Sequence, residues 1–382
     1  MEFFKYILSK VIKNILIIYY IFPINNKKIV FYPANGKYYC NLKYIYMYLR
    51  EKKQKNLKMI WIVDNFKETS YSKEIIMCKK NSLIMFYHLL TAKIVLFNNM
   101  LFSYLPKRNG QVYLETWHGG GAYKKLPKVF NHDNFFREGR FRHVYDGIDY
   151  VISACFAFDK AFSCDSSINY AKYLHIGMPR NDLFFSKKKL NINKKVRDYY
   201  HIMEDNIVCL YAPTIRHFGT HTDKLDYQSL IDSLKKEYGK EVFLLVRAHP
   251  HKANNLTTRH TDNVINVHEY PDMQELLCAA DILITDYSSC MWDFSLTFKP
   301  CFIFATDIQE YKEEHDFHTP MSEWPFPIAT NNKELMNNIT NFDEAEYIEK
   351  VKQHHKALGS YEDGHATERV CKLIEKICSG EK

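Results

Sequence analysis

A fold of two doubly wound α/β domains, each a parallel sheet covered on both faces by helices, is predicted by three features of this chain. Apolar, β-branched runs of strand length alternate with helical patterns from end to end, as buried parallel strands joined by crossover helices require. The 382 residues exceed one average core and suit two domains of roughly 150–200 residues, and 46% hydrophobic content can fill both. Several apolar runs also end abruptly in polar clusters, and open parallel sheets bind ligands outside the carboxyl ends of their strands.

Residues 1–27 stand apart. Met1 to Phe22 is rich in Phe, Ile, Leu and Tyr but is broken by Lys5, Lys10 and Lys13. Its longest uninterrupted stretch, Ile15 to Ile24, falls short of the ~20 residues that span a bilayer. The segment reads as an amphipathic helix, either lying in an anionic membrane interface with Lys27 and Lys28 beyond it or docked on the first domain. Its apolarity favours the membrane. The first domain, 28–190, follows with strands at Lys28–Tyr32, Lys58–Val63, Ile94–Asn98, Gln111–Glu115, Tyr150–Ser153 and Tyr173–Ile176, and helices at Leu42–Lys52 and Asn81–Leu90. A charged, Asn-rich stretch, Ser186 to Arg197, is the expected linker. The second domain, 198–382, has strands at Ile207–Tyr211, Val242–Val246, Val264–Val267, Asp281–Thr285 and Cys301–Phe304. Helices fit Tyr227–Tyr238, Met273–Ala279, Cys290–Thr297, Lys333–Asn341 and Arg369–Cys378. An active site in a cleft between the domains is the expectation.

The formal charge of +8 is a modest excess, 52 Lys and Arg against 44 Asp and Glu, and suits an anionic small molecule or membrane surface. No recognition helix, RRM aromatic pattern or basic stripe accompanies it, so no nucleic-acid partner is expected. The ten Cys form no Cys-x-x-Cys pair, and Cys209, Cys278, Cys301 and Cys371 lie in apolar runs. With no cleavable signal pattern, they point to a reducing cytoplasm and against a zinc site.

Four clusters carry the chemistry. Thr116-Trp117-His118 leads into Gly119, Gly120 and Gly121; glycines let backbone approach a ligand closely, and His118 could serve as a general base. Ala212-Pro213-Thr214-Ile215-Arg216 stops a strand at proline and presents a guanidinium suited to phosphate. Arg247-Ala248-His249-Pro250-His251 lacks a carboxylate or Cys to complete a metal site, so hydrogen bonding to a phosphate or leaving group is the better reading. Thr285-Asp286-Tyr287-Ser288-Ser289 ends a buried strand at a helix start, where N–H groups and hydroxyls suit an anion. Gly177-Met178-Pro179-Arg180-Asn181-Asp182 forms a defined turn, structural or functional. The dinucleotide GxGxxG, Walker and G-x-S-x-G motifs are absent.

In this order the clusters resemble the CDP-glycerol glycerophosphotransferase family of teichoic acid and capsule synthesis. The matching elements are Trp117-His118-Gly119 with Lys124-Lys125-Leu126, Gly177 to Asp182, Tyr211 to Arg216, Arg247 to His251, Ala280 to Ser289, and Asp363 to Arg369. Gly120-Gly121-Ala122 departs from the family's Thr-Pro, Ile215 from its usual aromatic, and Ala248 from a larger residue; the first bears on acceptor identity. The resemblance implies a GT-B-like fold and an enzyme peripheral to the cytoplasmic face of the membrane. It implies transfer of glycerol phosphate from CDP-glycerol to a lipid-linked, polymeric or capsular glycan acceptor, with release of CMP. His118 and His249 are then the expected catalytic residues. Thr214, Arg216, His251, Thr285, Asp286, Ser288, Ser289 and Asp293 are expected to bind the donor, and Gly119, Gly177, Arg180 and Asn181 to line the cleft or form its turn. No cofactor or metal is required, although a divalent cation is compatible. The alternative is a transferase of the same fold using CDP-ribitol or a nucleotide sugar.

Overall fold

The computed structural model describes residues 1–34, 36–52, 56–66, 75–99, 101–125, 135–169, 172–214, 224–247, 263–314 and 316–380, apart from the side chains of 137, 140, 141, 313 and 314. The described residues fall into two compact units, one within Met1–His118, Leu126–Asp182 and Tyr361–Lys382, the other within Gly119–Lys125 and Leu183–Ser360.

The first unit begins with α1 (Glu2–Leu16), then β1 (Asn25–Tyr32), α2 (Cys40–Glu51), β2 (Lys58–Val63), β3 (Ile76–Lys79), α3 (Leu83–Thr91), β4 (Ala92–Phe97) and β5 (Val112–Glu115). It continues through α4 (Phe135–Asp146), β6 (Tyr150–Ser153), α5 (Phe156–Ser166) and β7 (Tyr173–His175). The seven strands are ordered β3-β2-β1-β4-β5-β6-β7, all neighbours parallel. Ile29, Val30 and Phe31 of β1 and Ile94, Val95 and Leu96 of β4 are fully buried, as central strands covered on both faces must be. α1 packs on α4 through Phe3 and Tyr6 against Phe136, at 5.0 and 5.7 Å between ring centroids. Among the described residues no helix is long and apolar enough to cross a membrane.

The second unit holds α6 (Asp182–Phe185) from Leu183 onward, α7 (Lys188–Tyr199), β8 (Ile207–Ala212), α8 (Tyr227–Tyr238), β9 (Val242–Val246), β10 (Val264–Asn266), α9 (Met273–Ala279) and β11 (Ile282–Thr285). After these come α10 (Cys290–Ser295), β12 (Cys301–Phe304), α11 (Ile308–Glu314), β13 (Ile328–Ala329), α12 (Asn332–Thr340) and α13 (Glu344–Leu358). Its strands are ordered β10-β9-β8-β11-β12-β13, again all parallel. Helix starts follow the local sequence: Asp226, Asp272, Asn331 and Asp343 each accept a backbone N–H from the first turn of α8, α9, α12 and α13, satisfying donors the helix itself cannot.

Two expected boundaries are corrected. The supposed linker is mostly α7, fastened within the second unit by Arg197, whose guanidinium bonds Asp281 Oδ2 at 2.6 Å and the carbonyls of Met203 and Asn206. The chain's last helix, α14 (Ala366–Ser379), belongs to the first unit. There Val370, Cys371, Ile374 and Cys378 form its buried stripe, with Cys371 Sγ 3.8 Å from the carbonyl of Ile45 in α2. The second domain therefore ends near Ser360.

Candidate functional site

In each unit the strand order reverses beside one central strand, the position at which such sheets open a crevice. In the first unit the reversal lies between β1 and β4, where Tyr32 pairs with Phe97. One residue past β4, the fully buried Asn98 accepts the backbone N–H of Ala34 on its Oδ1 at 2.9 Å. The Asn98 carbonyl stands 2.8 Å from Nδ1 of His118. A carbonyl oxygen can only accept, so Nδ1 carries the proton and the neutral ring keeps its lone pair on Nε2. His118 is exposed, and the bond fixes its tautomer.

The backbone that delivers this ring is held from three directions. Thr116 N–H donates to Phe97 O at 2.7 Å, Trp117 N–H to Glu115 Oε1 at 2.8 Å, and Asn41 Nδ2 to the carbonyls of Thr116 and Trp117 at 2.8 and 3.2 Å. Trp117 has φ +51°, a left-handed conformation that costs a residue with a Cβ about 1–2 kcal/mol, so the surrounding bonds must hold it there. Glu115 is buried, and burial pushes its carboxyl up to about 8 against the opposing effect of the Trp117 N–H.

Gly177, Arg180 and Asn181 prove to be the brace behind this loop. Gly177 has φ +82°, and a Cβ there would lie 2.8 Å from Glu362 Oε2. Glu362 accepts from Met178 N–H and Asn181 Nδ2 at 3.0 and 2.8 Å. Arg180 donates its N–H to Asn41 Oδ1 at 3.2 Å and extends Nη1 to 3.2 Å from Cys40 Sγ. Arg180 and Asn181 are buried, so the turn aims Asn41 at the His118 loop.

The second unit repeats the device between β8 and β11, where Ala212 pairs with Thr285. One residue past β11, buried Asp286 accepts on Oδ1 from the Thr214 N–H and hydroxyl at 2.8 and 2.6 Å and from Tyr287 N–H at 2.5 Å. Thr285 gives its hydroxyl to the Ala212 carbonyl at 2.7 Å, and buried Asp293 accepts from Gln274 Nε2 at 2.9 Å. Thr285, Asp286 and Asp293, expected to bind a donor, are thus turned inward and tie strand ends and helices together. Thr214, Ser288 and Ser289 are half-buried at the same sheet end.

α10 is only six residues long. Its first N–H groups are spent locally: Cys290 N–H points to Ser288 Oγ at 3.4 Å, and Met291 and Trp292 donate to the carbonyls of Ser288 and Ser289. The turn therefore offers an anion hydroxyls rather than a helix terminus, because Ser289 caps nothing with its side chain. Arg216, His249 and His251 lie outside the described residues. Arg247 is turned to structure, with Nη1 2.8 Å from the Tyr270 carbonyl. Among the described residues no cluster of three His, Cys, Asp or Glu could hold a metal.

Gly119 is buried, and the glycines after it serve packing. A Cβ on Gly120 would stand 2.1 Å from Trp292 Cδ1, and one on Gly121 (φ +68°) 2.5 Å from the Tyr123 ring. The close approach expected toward a ligand is made to α10 instead. Beneath it, the Tyr123 hydroxyl lies 3.0 Å from His354 Nε2, and His355 Nε2 lies 2.7 Å from Ser295 Oγ. Burial pushes both imidazoles down to about 4. Sequence reasoning missed Asn41, Asn98 and Glu115; Asn98 had a usable signal, since it follows its strand as Asp286 does.

The family model described as CDP-glycerol:poly(glycerophosphate) glycerophosphotransferase matches residues 15–376. The teichoic acid glycerol-phosphate transferase of Staphylococcus aureus is 28% identical over 92% of this chain and 94% of its own. The teichoic acid poly(glycerol phosphate) polymerase of Staphylococcus epidermidis is 30% identical over 92% of this chain and 50% of its own. The teichoic acid ribitol-phosphate primase of Bacillus spizizenii is 26% identical over 76% and 77%. Among solved structures, that of the wall teichoic acid polymerase TagF soaked with CDPG matches with a TM-score of 0.84 and 26% identity, covering all of this chain and 98% of the other.

Proposed function

Because the chain belongs to the CDP-glycerol:poly(glycerophosphate) glycerophosphotransferase family, we propose that it transfers glycerol phosphate from CDP-glycerol to a glycan hydroxyl in teichoic acid-like polymer synthesis, releasing CMP. The observation that carries the chemistry is the His118 ring, fixed through Nδ1 on the Asn98 carbonyl. Nε2 takes the proton of the acceptor hydroxyl as its oxygen attacks the glycerol-bearing phosphorus. The P–O bond to CMP breaks, and CMP leaves with the electron pair. Thr214, Ser288 and Ser289 offer hydroxyls to the diphosphate. The sequence resemblance assigns Arg216, His249 and His251 to the same group, with His249 on the charge that builds on departing CMP. The scheme needs no cofactor, and a divalent ion on the diphosphate is compatible with it.

The acceptor in this reading is lipid-linked, and α1 holds the enzyme on the cytoplasmic face of the membrane. α1 and the turn after it leave Phe4, Leu8, Val11, Ile15 and Ile18 exposed, a spacing that forms one helical stripe. Leu83 and Ile84 at the start of α3 are 76% and 62% exposed, and Tyr19 reaches the Leu83 carbonyl at 3.1 Å. Apolar surface of this extent with lysines at its margin suits an interfacial helix.

The test uses purified protein, CDP-glycerol and a synthetic lipid-linked disaccharide, with products weighed by mass spectrometry. Acceptor mass should rise in glycerol phosphate units as CMP appears. His118→Ala should lower kcat by ~10²–10⁴ with CDP-glycerol binding retained. Near-normal CMP release by that variant would remove His118 as base, and turnover confined to CDP-ribitol would replace the donor.

A further inference from the structure

On the face of α1 turned from its apolar stripe, the first unit carries a small depression, open to solvent, lined by Tyr6, Lys10 and Lys13 of α1, by Ser103, and by Gly139 and His143 of α4. Gly139 lets the helices approach closely, since a Cβ there would meet the Tyr6 ring at 3.3 Å. Three nitrogen bases crowd this space. Burial and then the Lys10 charge push Lys13 down from its ordinary value, and burial and then the Lys13 charge do the same to His143. The Leu105 carbonyl, 3.3 Å from His143 Nε2, and then Asp146 oppose the shift of His143, but among the described residues neither lysine has an ion pair. Lys10 rests its ammonium 5.2 Å from the Tyr6 ring centroid. Like charges gathered in a partly desolvated recess are unfavourable until an anion joins them.

The location says which anion. Around the helix axis Lys10 stands roughly 130° from the centre of the apolar stripe and Lys13 nearly opposite it. An interfacial helix sinks its apolar face ~5–10 Å into the boundary, which brings its flank and back level with the lipid phosphates. We propose that the depression binds the phosphate of an anionic phospholipid headgroup, with the two lysines on the phosphate and Ser103 on a headgroup hydroxyl. A zwitterionic headgroup would bring its own cation against the lysines and is disfavoured. This rests on the membrane reading of α1 and adds to it one defined lipid site.

Co-sedimentation of the full chain with phosphatidylcholine vesicles, and with vesicles also containing phosphatidylglycerol, separates the two ideas. Ser103→Leu fills the depression without changing charge and touches nothing in the catalytic machinery, so CMP release in detergent reports its folding. It should lose roughly tenfold in affinity for phosphatidylglycerol vesicles and nothing on phosphatidylcholine. Lys10→Gln with Lys13→Gln should lose more than Lys5→Gln with Lys27→Gln, which removes equal charge outside the depression; delocalised attraction alone predicts equal losses. Wild-type affinity in Ser103→Leu, or equal losses in the two lysine pairs, overturns the headgroup site while leaving the stripe intact. Unchanged binding of Phe4→Ser with Leu8→Ser to both vesicle types overturns the membrane reading itself.

Discussion

Glu115→Gln keeps the shape and acceptor oxygen of the side chain at the end of β5 and removes only its ability to ionise. Glu115 is 3% exposed, and its carboxyl is pushed from the ordinary 4.5 up to about 8, mainly by burial. In the unfolded chain it ionises above 4.5; in the folded protein it keeps its proton to about 8. The folded state therefore binds more protons between those values. The contribution to stability is fully present below 4.5 and is lost as pH rises to about 8, the reverse of a carboxylate in an ion pair. At ~1.4 kcal/mol per unit, the wild type carries a penalty of about 3 kcal/mol near pH 7. Glutamine carries none. In urea unfolding followed by tryptophan fluorescence, the variant should match the wild type within about 1 kcal/mol near pH 5 and exceed it by about 2–4 kcal/mol near pH 8. Every other titrating group is common to both proteins and cancels in the difference. Because the amide carbonyl can still accept the Trp117 N–H, kcat should stay within about threefold. A stability difference that does not change with pH would mean the native carboxyl is ionised, and the argument would fail.

The buried imidazoles of the second unit should act on the acid side. His354 and His355 are held down to about 4 by burial against an ordinary 6.5, so the unfolded chain binds the extra protons. Their contribution is present above 6.5 and is lost as pH falls toward 4, by up to about 3 kcal/mol each. His355→Gln should flatten that acid limb in thermal melts; an unaltered limb would place the sensitivity elsewhere. Gly120→Ala drives a methyl into fully buried Trp292 and should cost about 1–3 kcal/mol. Gly239→Ala meets nothing within 4 Å at φ +63° and should cost only its backbone strain, about 1 kcal/mol. Equal shifts in Tm would deny the close approach to Trp292.

Much of the fold was legible because buried parallel strands are written as apolar runs. Lys58–Val63, Tyr150–Ser153, Val242–Val246 and Cys301–Phe304 have the expected bounds. The two missed strands, β3 and β13, are edges of their sheets, short, and half-exposed in part, with Ile76 50% exposed; nothing in them demands an apolar run. α7 read as linker because it buries only Val196 and Arg197. An arginine held by carbonyls and a carboxylate looks, in sequence, like a solvated charge.

The candidate site was legible as a set of strand ends but not in the direction each side chain takes. Polar residues at a buried strand's end have two uses, to meet a ligand or to satisfy the backbone that the strand leaves behind, and composition does not distinguish them. Asn98 and Asp286 occupy equivalent positions, each one residue past the strand at a reversal point and each bonded to the N–H two residues past the neighbouring strand. The number of donors explains the difference between them. Asp286 Oδ1 meets three, the N–H and hydroxyl of Thr214 and the N–H of Tyr287, a donor set that suits a carboxylate oxygen. Asn98 Oδ1 accepts the Ala34 N–H, a partner that suits a neutral amide, since a carboxylate so placed would need more donors. The backbone carbonyl of that same asparagine then orients His118. That ring is set by a main-chain group, whose role no side-chain motif can announce.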